Sequence, residues 1–544
     1  MAYTVADAVL DQLGEHGVRV CFGIPGVHNL PFWNGAGSGR RPRIVGVRHE
    51  QAAGYAADGA ARATGGLGVA LTTTGPGFAN ALAAFGEAYA SFSPVLLISS
   101  EAPLGPRRAS GRDHGLLHGM RSQADVITHG FGARAVSATT AEEAVHAVPG
   151  LVAHALVTGR PVYLGVPADI LASAWAGPDP VVTPSVPVAP APATVTAAAD
   201  ALRGRTVALW LGARAVDAEP QLRRLAQRLG ALVVPTYQAR GMLADLAGTV
   251  GAPPHEPIVA AQIAARDVLL VVGDDLAGMT TRNWRMPVPP TVVAITDDQH
   301  ASLGDYDLAA RVVGDIALSV ASVLDALGDS ETATPMPEGE ALTAAVHTDV
   351  SGDPRTAAAS AFVTSVDEGW PESGAVVVDM CVAGYWLGGY SRQVRPRRLQ
   401  YPVGWGTLGF AIPAAIGPAA QGIPTLAVVG DGGAAMGLGE LGTYAQERLP
   451  IALLVVTDGG YGMLRFDQTE AGDEHRGVSL VEPRWEDLAA AYGLQVARTA
   501  DPGVGLARAL AQARNGLTCG ERWMVVLEQG FHPPRTTSPR WRET

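Results

Sequence analysis

Short runs of β-branched and apolar residues alternate with alanine-rich stretches along the whole chain. This alternation is typical of parallel sheets covered by helices, so we predict an α/β protein. The runs predicted as strands are, in chain order, 18–22, 69–74, 95–99, 162–166, 207–211, 232–235, 268–273, 292–295, 376–379, 426–429, 453–456 and 525–527.

Two polar, proline-containing segments, 183–194 and 328–340, interrupt the alternation and are predicted to be linkers. They divide the chain into blocks of 1–182, 195–327 and 341–544, each with its own set of strands. A length of 544 residues agrees with this division, because domains commonly hold about 100–200 residues. The sequence therefore predicts three doubly wound parallel-sheet domains.

Composition removes several classes of function. The 39 basic residues are all arginine, because the chain contains no lysine. A Schiff-base mechanism needs a lysine amine, so pyridoxal-phosphate enzymes and Schiff-base aldolases are excluded. The net charge of −13 repels phosphate backbones, so we expect no nucleic-acid partner.

Cysteine use and hydropathy indicate the compartment. Cys21, Cys381 and Cys519 lie far apart and form neither a disulfide framework nor a zinc motif. Residues 1–16 read as an amphipathic helix rather than a secretion signal, and no long uninterrupted apolar segment is present. We predict a cytoplasmic protein that does not enter a membrane.

Two predicted strands of the third block each end in an aspartate. One runs into Gly430-Asp431-Gly432-Gly433, and the next ends in Thr457-Asp458. A glycine turn that opens a helix presents free N–H groups to phosphate, but Asp431 would repel a bare phosphate. A Mg²⁺ ion between carboxylate and phosphate resolves this conflict, and the Gly460 carbonyl is a further candidate ligand. The alternative is a pair of ordinary strand-end turns with helix-capping aspartates.

The stretch from Gly430 to Met463 closely resembles the thiamine-diphosphate motif of the acetolactate synthase and 2-oxo acid decarboxylase superfamily. That motif ends in two asparagines, which are Thr457 and Asp458 here. The resemblance implies a pyrimidine-binding, a central and a diphosphate-binding domain. It also implies a Mg²⁺ site and a diphosphate site, with Asp431, Asp458 and Gly460 as metal ligands and Gly430, Gly432, Gly433, Tyr461, Gly462 and Met463 as cofactor-binding residues.

Other motifs of the family follow in its order. The segment 42–65 resembles the part that carries the catalytic glutamate, which falls on Glu50. The segment 404–417 resembles the part that lines the thiazolium ring, with Leu408 as the wedge that bends the cofactor. Further cofactor-binding residues implied by the resemblance are Pro25, Gly26, Gly75, Asn80 and Gly406.

The segment 113–123 and the sequence GIPGVHNL near the N-terminus most resemble the guanidino-oxopentanoate (2-oxoarginine) decarboxylase branch. His118 and Gln123 are therefore candidate catalytic residues for proton transfer and substrate orientation. The alternative is that both are polar residues of a surface loop. Val27 occupies the place where pyruvate decarboxylases have an acidic residue and benzoylformate decarboxylase has a serine, so neither activity is expected.

The resemblance implies Mg²⁺- and thiamine-diphosphate-dependent decarboxylation of a 2-oxo acid through an enamine. The product is an aldehyde, or the fragment is transferred to a second carbonyl. In this family Glu50 and the metal site that serve one cofactor come from different subunits, which implies at least a homodimer, or a tetramer. No flavin signature is recognisable in the central block, so we expect no FAD. The alternatives are an acetolactate-synthase-like carboligase and a catalytically silent paralogue.

Overall fold

A computed structural model describes residues 3–34, 41–105, 118–120, 122–178, 180, 187–299, 301, 303–304, 306–328 and 337–535. These residues form sheets of six, five and six strands, in which the paired strands run parallel. The predicted α/β class with three parallel sheets is confirmed. No helix in the described ranges combines the length and the apolarity needed to cross a membrane.

The N-terminal sheet has the strand order β2-β1-β3-β4-β6-β5. Its central strands are buried on both faces because helices cover both sides. Its strands are β1 (Val20–Gly23), β2 (Arg43–Gly46), β3 (Gly68–Thr72), β4 (Val95–Glu101), β5 (Ala135–Ser137) and β6 (Val162–Pro167). Its α-helices are α1 (Val5–Glu15), α2 (Glu50–Thr64), α3 (Pro76–Ala90), α4 (Gln123–Phe131), α5 (Ala141–Thr158) and α6 (Ala168–Leu171).

The central sheet has the order β11-β10-β9-β7-β8. Its strands are β7 (Val207–Leu211), β8 (Leu232–Pro235), β9 (Val268–Val272), β10 (Thr291–Thr296) and β11 (Leu308–Val313). Its α-helices are α7 (Pro192–Leu202), α8 (Glu219–Leu229), α9 (Pro257–Ala264), α10 (Gly278–Thr281) and α11 (Ile316–Leu327). The strand order reverses between β7 and β9, which places a crevice at the carboxyl ends of these two strands.

The C-terminal sheet has the order β13-β12-β14-β15-β17-β16. Its strands are β12 (Ala375–Val378), β13 (Leu399–Gln400), β14 (Thr425–Gly430), β15 (Ile451–Thr457), β16 (Gln495–Thr499) and β17 (Trp523–Glu528). Its α-helices are α12 (Gly339–Gly352), α13 (Ala357–Gly369), α14 (Val382–Tyr390), α15 (Ala411–Ala420), α16 (Asp431–Gly437), α17 (Leu441–Gln446), α18 (Gly462–Ala471), α19 (Trp485–Ala491) and α20 (Val504–Thr518). Short 3₁₀ helices lie at Leu30–Phe32, Ala213–Ala218, Tyr237–Ala239 and Leu438–Glu440.

The strands that the apolar runs predict are all present, with ends that differ by one or two residues. The apolar runs did not identify β2, β5, β11, β13 and β16, which lie at sheet edges. β13 has only two residues, and the other four are partly exposed, so their sequences lack an unbroken apolar run. Parts of both predicted linkers lie outside the described residues, and the domain boundaries stay a prediction.

The N-terminal and C-terminal domains meet backbone to backbone along α2 and α15. A Cβ built on Gly59 of α2 would lie 2.1 Å from the carbonyl oxygen of Ala414, and one built on Gly417 would lie 2.3 Å from that of Ala56. Only glycine permits so close an approach of two helices. This contact fixes the start of α2, which carries Glu50, relative to the loop before α15, which carries Leu408.

Candidate active site

The carboxyl ends of β14 and β15 are joined through the side chain of Asp431. One carboxylate oxygen of Asp431 accepts from the N–H groups of Gly459 and Gly460 at 2.8 Å each, and the other accepts from its neighbour Gly432 at 2.8 Å. The Thr457 hydroxyl donates to the same carboxylate at 3.3 Å. The structure therefore brings the predicted metal ligand Asp431 together with the turn that carries Asp458 and Gly460.

Negative charge is concentrated at this edge. Burial raises the pKa of Asp431, with Glu482 as a further contributor. Burial also raises the pKa of Asp458, and the negative charge of Asp431 raises it further. Both shifts indicate that a cation would be favoured at this edge. Arg465 offsets part of this charge, because its guanidinium lies 3.9 Å from the Asp458 carboxylate and donates to the Asp458 carbonyl at 2.9 Å.

The donor chemistry at this edge fits a magnesium ion shared with phosphate. Within the described ranges no cluster of three or more His, Cys, Asp or Glu converges as a metal site. Two carboxylates and a carbonyl supply only part of an octahedron, so phosphate and water oxygens would complete it. The residues present therefore suit a metal that binds together with a diphosphate.

Two glycines allow the two strand-end turns and Asp379 to pack closely at this edge. A Cβ built on Gly432 would lie 2.6 Å from the ring of Tyr461, and one built on Gly433 would lie 2.9 Å from the carboxylate of Asp379. Tyr461 immediately precedes α18, whose first two residues are Gly462 and Met463. The predicted diphosphate-binding residues of the two strand-end turns thus lie side by side.

The loop with Leu408 packs on the same edge. Asp379, at the end of β12, is fully buried and accepts from the N–H groups of Gly409 at 3.0 Å and Ala411 at 2.8 Å. Burial raises the pKa of Asp379 to about 6. A Cβ built on Gly409 would lie 2.8 Å from Met436 of α16, so Leu408 lies close to the helix that begins at Asp431.

Cys381 lies beside the turn that carries Asp431. It precedes α14, its sulfur accepts from the N–H of Gly384 at 3.4 Å, and a Cβ built on Gly430 would lie 3.2 Å from its own Cβ. Burial raises the pKa of its thiol to about 12, so the thiol stays neutral at ordinary pH. Cys381 therefore caps α14 beside the Asp431 turn without adding charge.

Glu50 is the first residue of α2 and follows the edge strand β2 after three residues. One carboxylate oxygen accepts from the side-chain amide of Asn80 at 3.0 Å, and the other lies 3.3 Å from a Cβ built on Gly77. The predicted Pro25–Gly26 turn lies nearby, because a Cβ on Gly26 would lie 2.8 Å from the Thr73 side chain. The carboxyl ends of β1, β2 and β3 thus gather these predicted residues at one edge.

The buried side chain of Gln123 binds the Thr74–Gly75 turn at this edge. Its carbonyl oxygen accepts from the N–H of Gly75 at 2.9 Å and from the Thr74 hydroxyl at 3.3 Å. Its amide donates to the Tyr163 hydroxyl at 2.7 Å and to the Ser100 carbonyl at 3.2 Å. These contacts use both ends of the amide, so Gln123 holds the Gly75 turn in place.

His118 covers the Gly75 turn from outside. Its carbonyl oxygen would lie 2.6 Å from a Cβ built on Gly75, and its φ of 58° is in the left-handed region. Its exposed ring meets the ring of His28 edge to face at 5.7 Å. Burial, followed by the charge of His118, lowers the pKa of His28. The edge near Glu50 therefore carries a pair of imidazoles.

The sequence analysis did not identify His28 as a functional residue, although it lies in the quoted GIPGVHNL segment. A single histidine after a turn carries no periodic signal, and its partner His118 is 90 positions away. Asn29 fixes this segment, because its side chain accepts from the N–H of Gly26 at 2.6 Å and donates to the Ile24 carbonyl at 3.0 Å. Such an asparagine-clamped turn after a strand is the only local signal that the sequence offered.

The C-terminal domain also holds the start of α2. Glu440, which is buried, accepts from the N–H of Arg48 at 2.9 Å and from the Thr443 hydroxyl at 2.6 Å. Within the described part of the chain, Glu50 forms no hydrogen bond or ion pair with the Asp431 edge. One chain therefore presents the two halves of the predicted site at separate edges.

Comparisons with known proteins agree with this geometry. The chain matches the family descriptions "Thiamine pyrophosphate enzyme, N-terminal TPP binding domain" over residues 3–126, "central domain" over 195–327 and "C-terminal TPP binding domain" over 379–526. In fold it is similar to a putative thiamin diphosphate-dependent enzyme from Mycobacterium smegmatis, with a TM-score of 0.79 at 21% identity over 97% of this chain and 99% of that one.

Three curated relatives match most of the chain. A probable 2-ketoarginine decarboxylase of Pseudomonas aeruginosa is 31% identical over 92% of this chain and 90% of its own. An indole-3-pyruvate decarboxylase of Azospirillum brasilense is 28% identical over 90% and 89%, and an acetolactate synthase of Mycobacterium bovis is 29% identical over 85% and 77%. The chain belongs to the thiamine pyrophosphate enzyme family and is a 2-oxo acid decarboxylase or carboligase.

Proposed function

We propose that this enzyme decarboxylates a 2-oxo acid and releases the corresponding aldehyde, using thiamine diphosphate held through Mg²⁺. The observation that carries the proposal is the edge at which Glu50, bound by Asn80 at 3.0 Å, lies near the His28–His118 pair. A carboxyl group and two imidazoles are the groups that proton transfer near pH 7 requires.

The C-terminal edge is proposed to bind the diphosphate end of the cofactor. Asp431, Asp458 and the Gly460 carbonyl are the proposed Mg²⁺ ligands. The glycines of the Asp431 turn allow Tyr461 and Asp379 to pack against it, because a side chain at Gly432 or Gly433 would meet them, and the N–H groups of such a glycine turn are the proposed phosphate donors. The proposed diphosphate-binding residues are Gly430, Gly432, Gly433, Tyr461, Gly462 and Met463.

The N-terminal edge is proposed to bind the pyrimidine. Thiamine diphosphate, when bound, supplies a thiazolium ring that accepts the electron pair left when carbon dioxide departs. Glu50 holds a proton at the pyrimidine nitrogen that faces it, and Asn80 orients the Glu50 carboxylate. Leu408 and Gly406 support the bent cofactor, while Pro25, Gly26 and Gly75 shape the floor under the pyrimidine.

The imidazole pair is proposed to complete the reaction. The electron pair of the bond that breaks when carbon dioxide departs would be shared between the bound thiazolium ring and the former keto carbon. His28 or His118 then donates a proton to that carbon, and solvent returns a proton to the ring. Gln123 is proposed to act indirectly, by holding the turn against which His118 packs.

A relative's activity suggests the first substrate to test. Because the chain is 31% identical to a probable 2-ketoarginine decarboxylase, we propose a 2-oxo acid with a guanidino side chain as the first candidate. Carboligation is the second candidate, since an acetolactate synthase matches 85% of this chain. A silent paralogue would bind no thiamine diphosphate.

We further propose that the central domain holds no flavin. The proposal rests on the central block, in whose sequence no flavin signature is recognisable. Asp274 lines the crevice between β7 and β9, and its carboxylate would lie 2.5 Å from a Cβ built on Gly212, so its side chain takes up part of the space at this switch point.

The two edges of one chain are proposed to serve two different cofactors. Glu50 would complete the site that the partner subunit's metal edge begins, so at least a homodimer is required. The proposed domains are a pyrimidine-binding domain (1–182), a central domain (195–327) and a diphosphate-binding domain (341–544). We propose a cytoplasmic location, in keeping with three free cysteines.

The test is a panel of 2-oxo acids assayed for carbon dioxide and for products. The proposal expects carbon dioxide release that needs both thiamine diphosphate and Mg²⁺, with an aldehyde as the main product. A hydroxy ketone as the main product would assign carboligation instead. An enzyme that binds no thiamine diphosphate by calorimetry would contradict both functions.

A further inference from the structure

A buried ionic cluster outside the proposed site joins the N-terminal domain to the Leu408 loop. Arg62 of α2 donates to Asp58 at 2.6 and 2.8 Å and to Glu87 of α3 at 3.0 Å. The side chains of Asp58 and Glu87 are fully buried, and that of Arg62 is nearly so. Buried charges persist only when they are paired and hydrogen-bonded, so each contact in this cluster matters.

Arg62 binds only one of the two carboxylate oxygens of Glu87, which leaves the other free for a second partner. Its other terminal nitrogen donates to the Tyr401 carbonyl at 3.1 Å, and the face of the guanidinium lies 5.0 Å from the ring of Phe410. The Glu87 oxygen that faces Arg62 also accepts from Ser91 at 2.6 Å. The second oxygen of Glu87 accepts from the hydroxyl of Thr407 at 2.8 Å.

Leu408 therefore lies between two contacts with buried carboxylates. On one side Thr407 donates its hydroxyl to Glu87, and on the other Gly409 donates its N–H to Asp379 at 3.0 Å. Glu87 belongs to the N-terminal domain, whereas Asp379 ends a strand of the C-terminal domain. The loop is thus fixed from both domains within three consecutive residues.

We propose that Glu87 and Thr407 are positioning residues that set the conformation of the Leu408 loop for thiamine diphosphate. This inference rests on the proposed role of Leu408 as the residue that supports the bent cofactor. A bent cofactor needs its support at one defined place, because proximity of reacting groups is lost with displacements of about 1 Å. Glu87 touches neither edge of the proposed site and acts only through Thr407.

Thr407→Val tests the proposal, because valine keeps the shape and removes the hydroxyl donor. Thr407→Ser is the rescue variant, since serine restores a hydroxyl. Ser91→Ala is the matched control, because it also removes a hydroxyl that donates to Glu87, but at the carboxylate oxygen that faces Arg62 instead of the one that accepts from Thr407. The Thr407 hydroxyl also contacts Tyr55, so Tyr55→Phe controls for that contact.

The first measurement uses the full-length enzyme without cofactor. Hydrogen–deuterium exchange by mass spectrometry follows the backbone amides of peptides that span 404–411. A hydrogen bond to a charged acceptor corresponds to about a 10- to 100-fold change in an equilibrium, so we expect exchange to quicken by about that factor in Thr407→Val. Thr407→Ser, Ser91→Ala and Tyr55→Phe should exchange like wild type.

The second measurement compares kcat, KM and thiamine-diphosphate affinity in the holoenzyme. We expect kcat of Thr407→Val to fall by about tenfold or more for the same reason, with KM and cofactor affinity changed much less. Wild-type exchange and kcat in Thr407→Val would overturn the inference, and so would an equal effect of Ser91→Ala. If wild-type enzyme releases no carbon dioxide with the cofactor, the proposed function is contradicted. The exchange measurement, which needs no activity, would still show whether the Thr407–Glu87 contact orders the loop.

Discussion

Replacement of Asp431 by asparagine is the sharpest test of the proposed metal site. The carboxylate accepts three backbone N–H groups at 2.8 Å, two on one oxygen and one on the other. An asparagine has a single oxygen, so its NH₂ group must face at least one of these donors. The substitution therefore removes a charged acceptor and leaves an N–H donor unpaired.

These contacts set the size of the effect. A hydrogen bond to a charged group is worth about 1.5–3 kcal/mol, and an unpaired buried donor adds a cost of about 1–3 kcal/mol. Allowing for overlap between the two terms, we expect the arranged turn to lose about 2–4 kcal/mol. Because the cofactor binds the arranged turn, its affinity should fall by up to about 30- to 700-fold. The loss of an anionic Mg²⁺ ligand acts in the same direction.

The assay is calorimetric titration of the cofactor-free enzyme with thiamine diphosphate at fixed Mg²⁺. A metal ligand has a second signature, because raising Mg²⁺ should partly restore cofactor affinity in Asp431→Asn. Asp458→Asn should be milder, since it keeps one oxygen ligand and removes a neighbouring negative charge. Asp315→Asn is the matched control, because Asp315 caps a helix of the central domain by accepting from the N–H of Leu318 at 2.9 Å.

An unchanged affinity in Asp431→Asn would refute the reasoning. Asp431 would then be a helix-capping residue, and the metal would have to bind elsewhere. An equal loss in Asp315→Asn would also refute it, because a distant helix cap should affect the fold without affecting the cofactor. Loss confined to Asp431 and relieved by Mg²⁺ is the result that the structure predicts.

Three further predictions follow from the site. Glu50→Gln should keep the cofactor bound but slow deuterium exchange at the thiazolium carbon by about 10²–10⁴-fold, and wild-type exchange would exclude its proposed role. Leu408→Ala should lower kcat while the circular dichroism of the fold is preserved, and an unchanged kcat would exclude Leu408 as the cofactor's support. Burial raises the pKa of Asp379 from 3.8 to about 6, so its favourable contribution is complete below pH 3.8 and is lost as the pH rises through 6, a change of about 3 kcal/mol. Asp379→Asn lacks this dependence, so its Tm relative to wild type should rise between pH 4 and pH 7, and a constant difference in Tm would contradict the shift.

The strands that could be predicted from the sequence are those buried on both faces of their sheet. β14, β15 and β4 are buried along nearly their whole length, so their apolar runs are unbroken and the sequence predicts them. The edge strand β16 is half-exposed or exposed at every position, which leaves no apolar run to detect. A run of apolar residues indicates a buried strand. An exposed edge strand such as β16 has no such run, and it forms because its backbone pairs with the neighbouring strand.

The residues of the site also divide into those that the sequence predicts and those that it does not. Asp431 and Asp458 were predictable because each directly follows an apolar strand, and parallel strands end at one edge. Thr407 and Glu87 are separated by 320 positions, and their contact depends on how α3 packs against the loop of another domain. No local pattern encodes such a contact, because it exists only once two domains have met.

The departure from the family's asparagine pair preserves the chemistry of the metal edge. The Thr457 hydroxyl donates to Asp431 at 3.3 Å, which supplies a neutral donor where the family has an amide. Asp458 adds a negative charge, and Arg465, 3.9 Å away, offsets part of it. Asp431, Asp458 and Glu482 against Arg465 leave two formal negative charges, which a bound divalent cation would offset. The charge at this edge therefore fits the proposed Mg²⁺ site, because an anionic diphosphate would bind there only with such a cation.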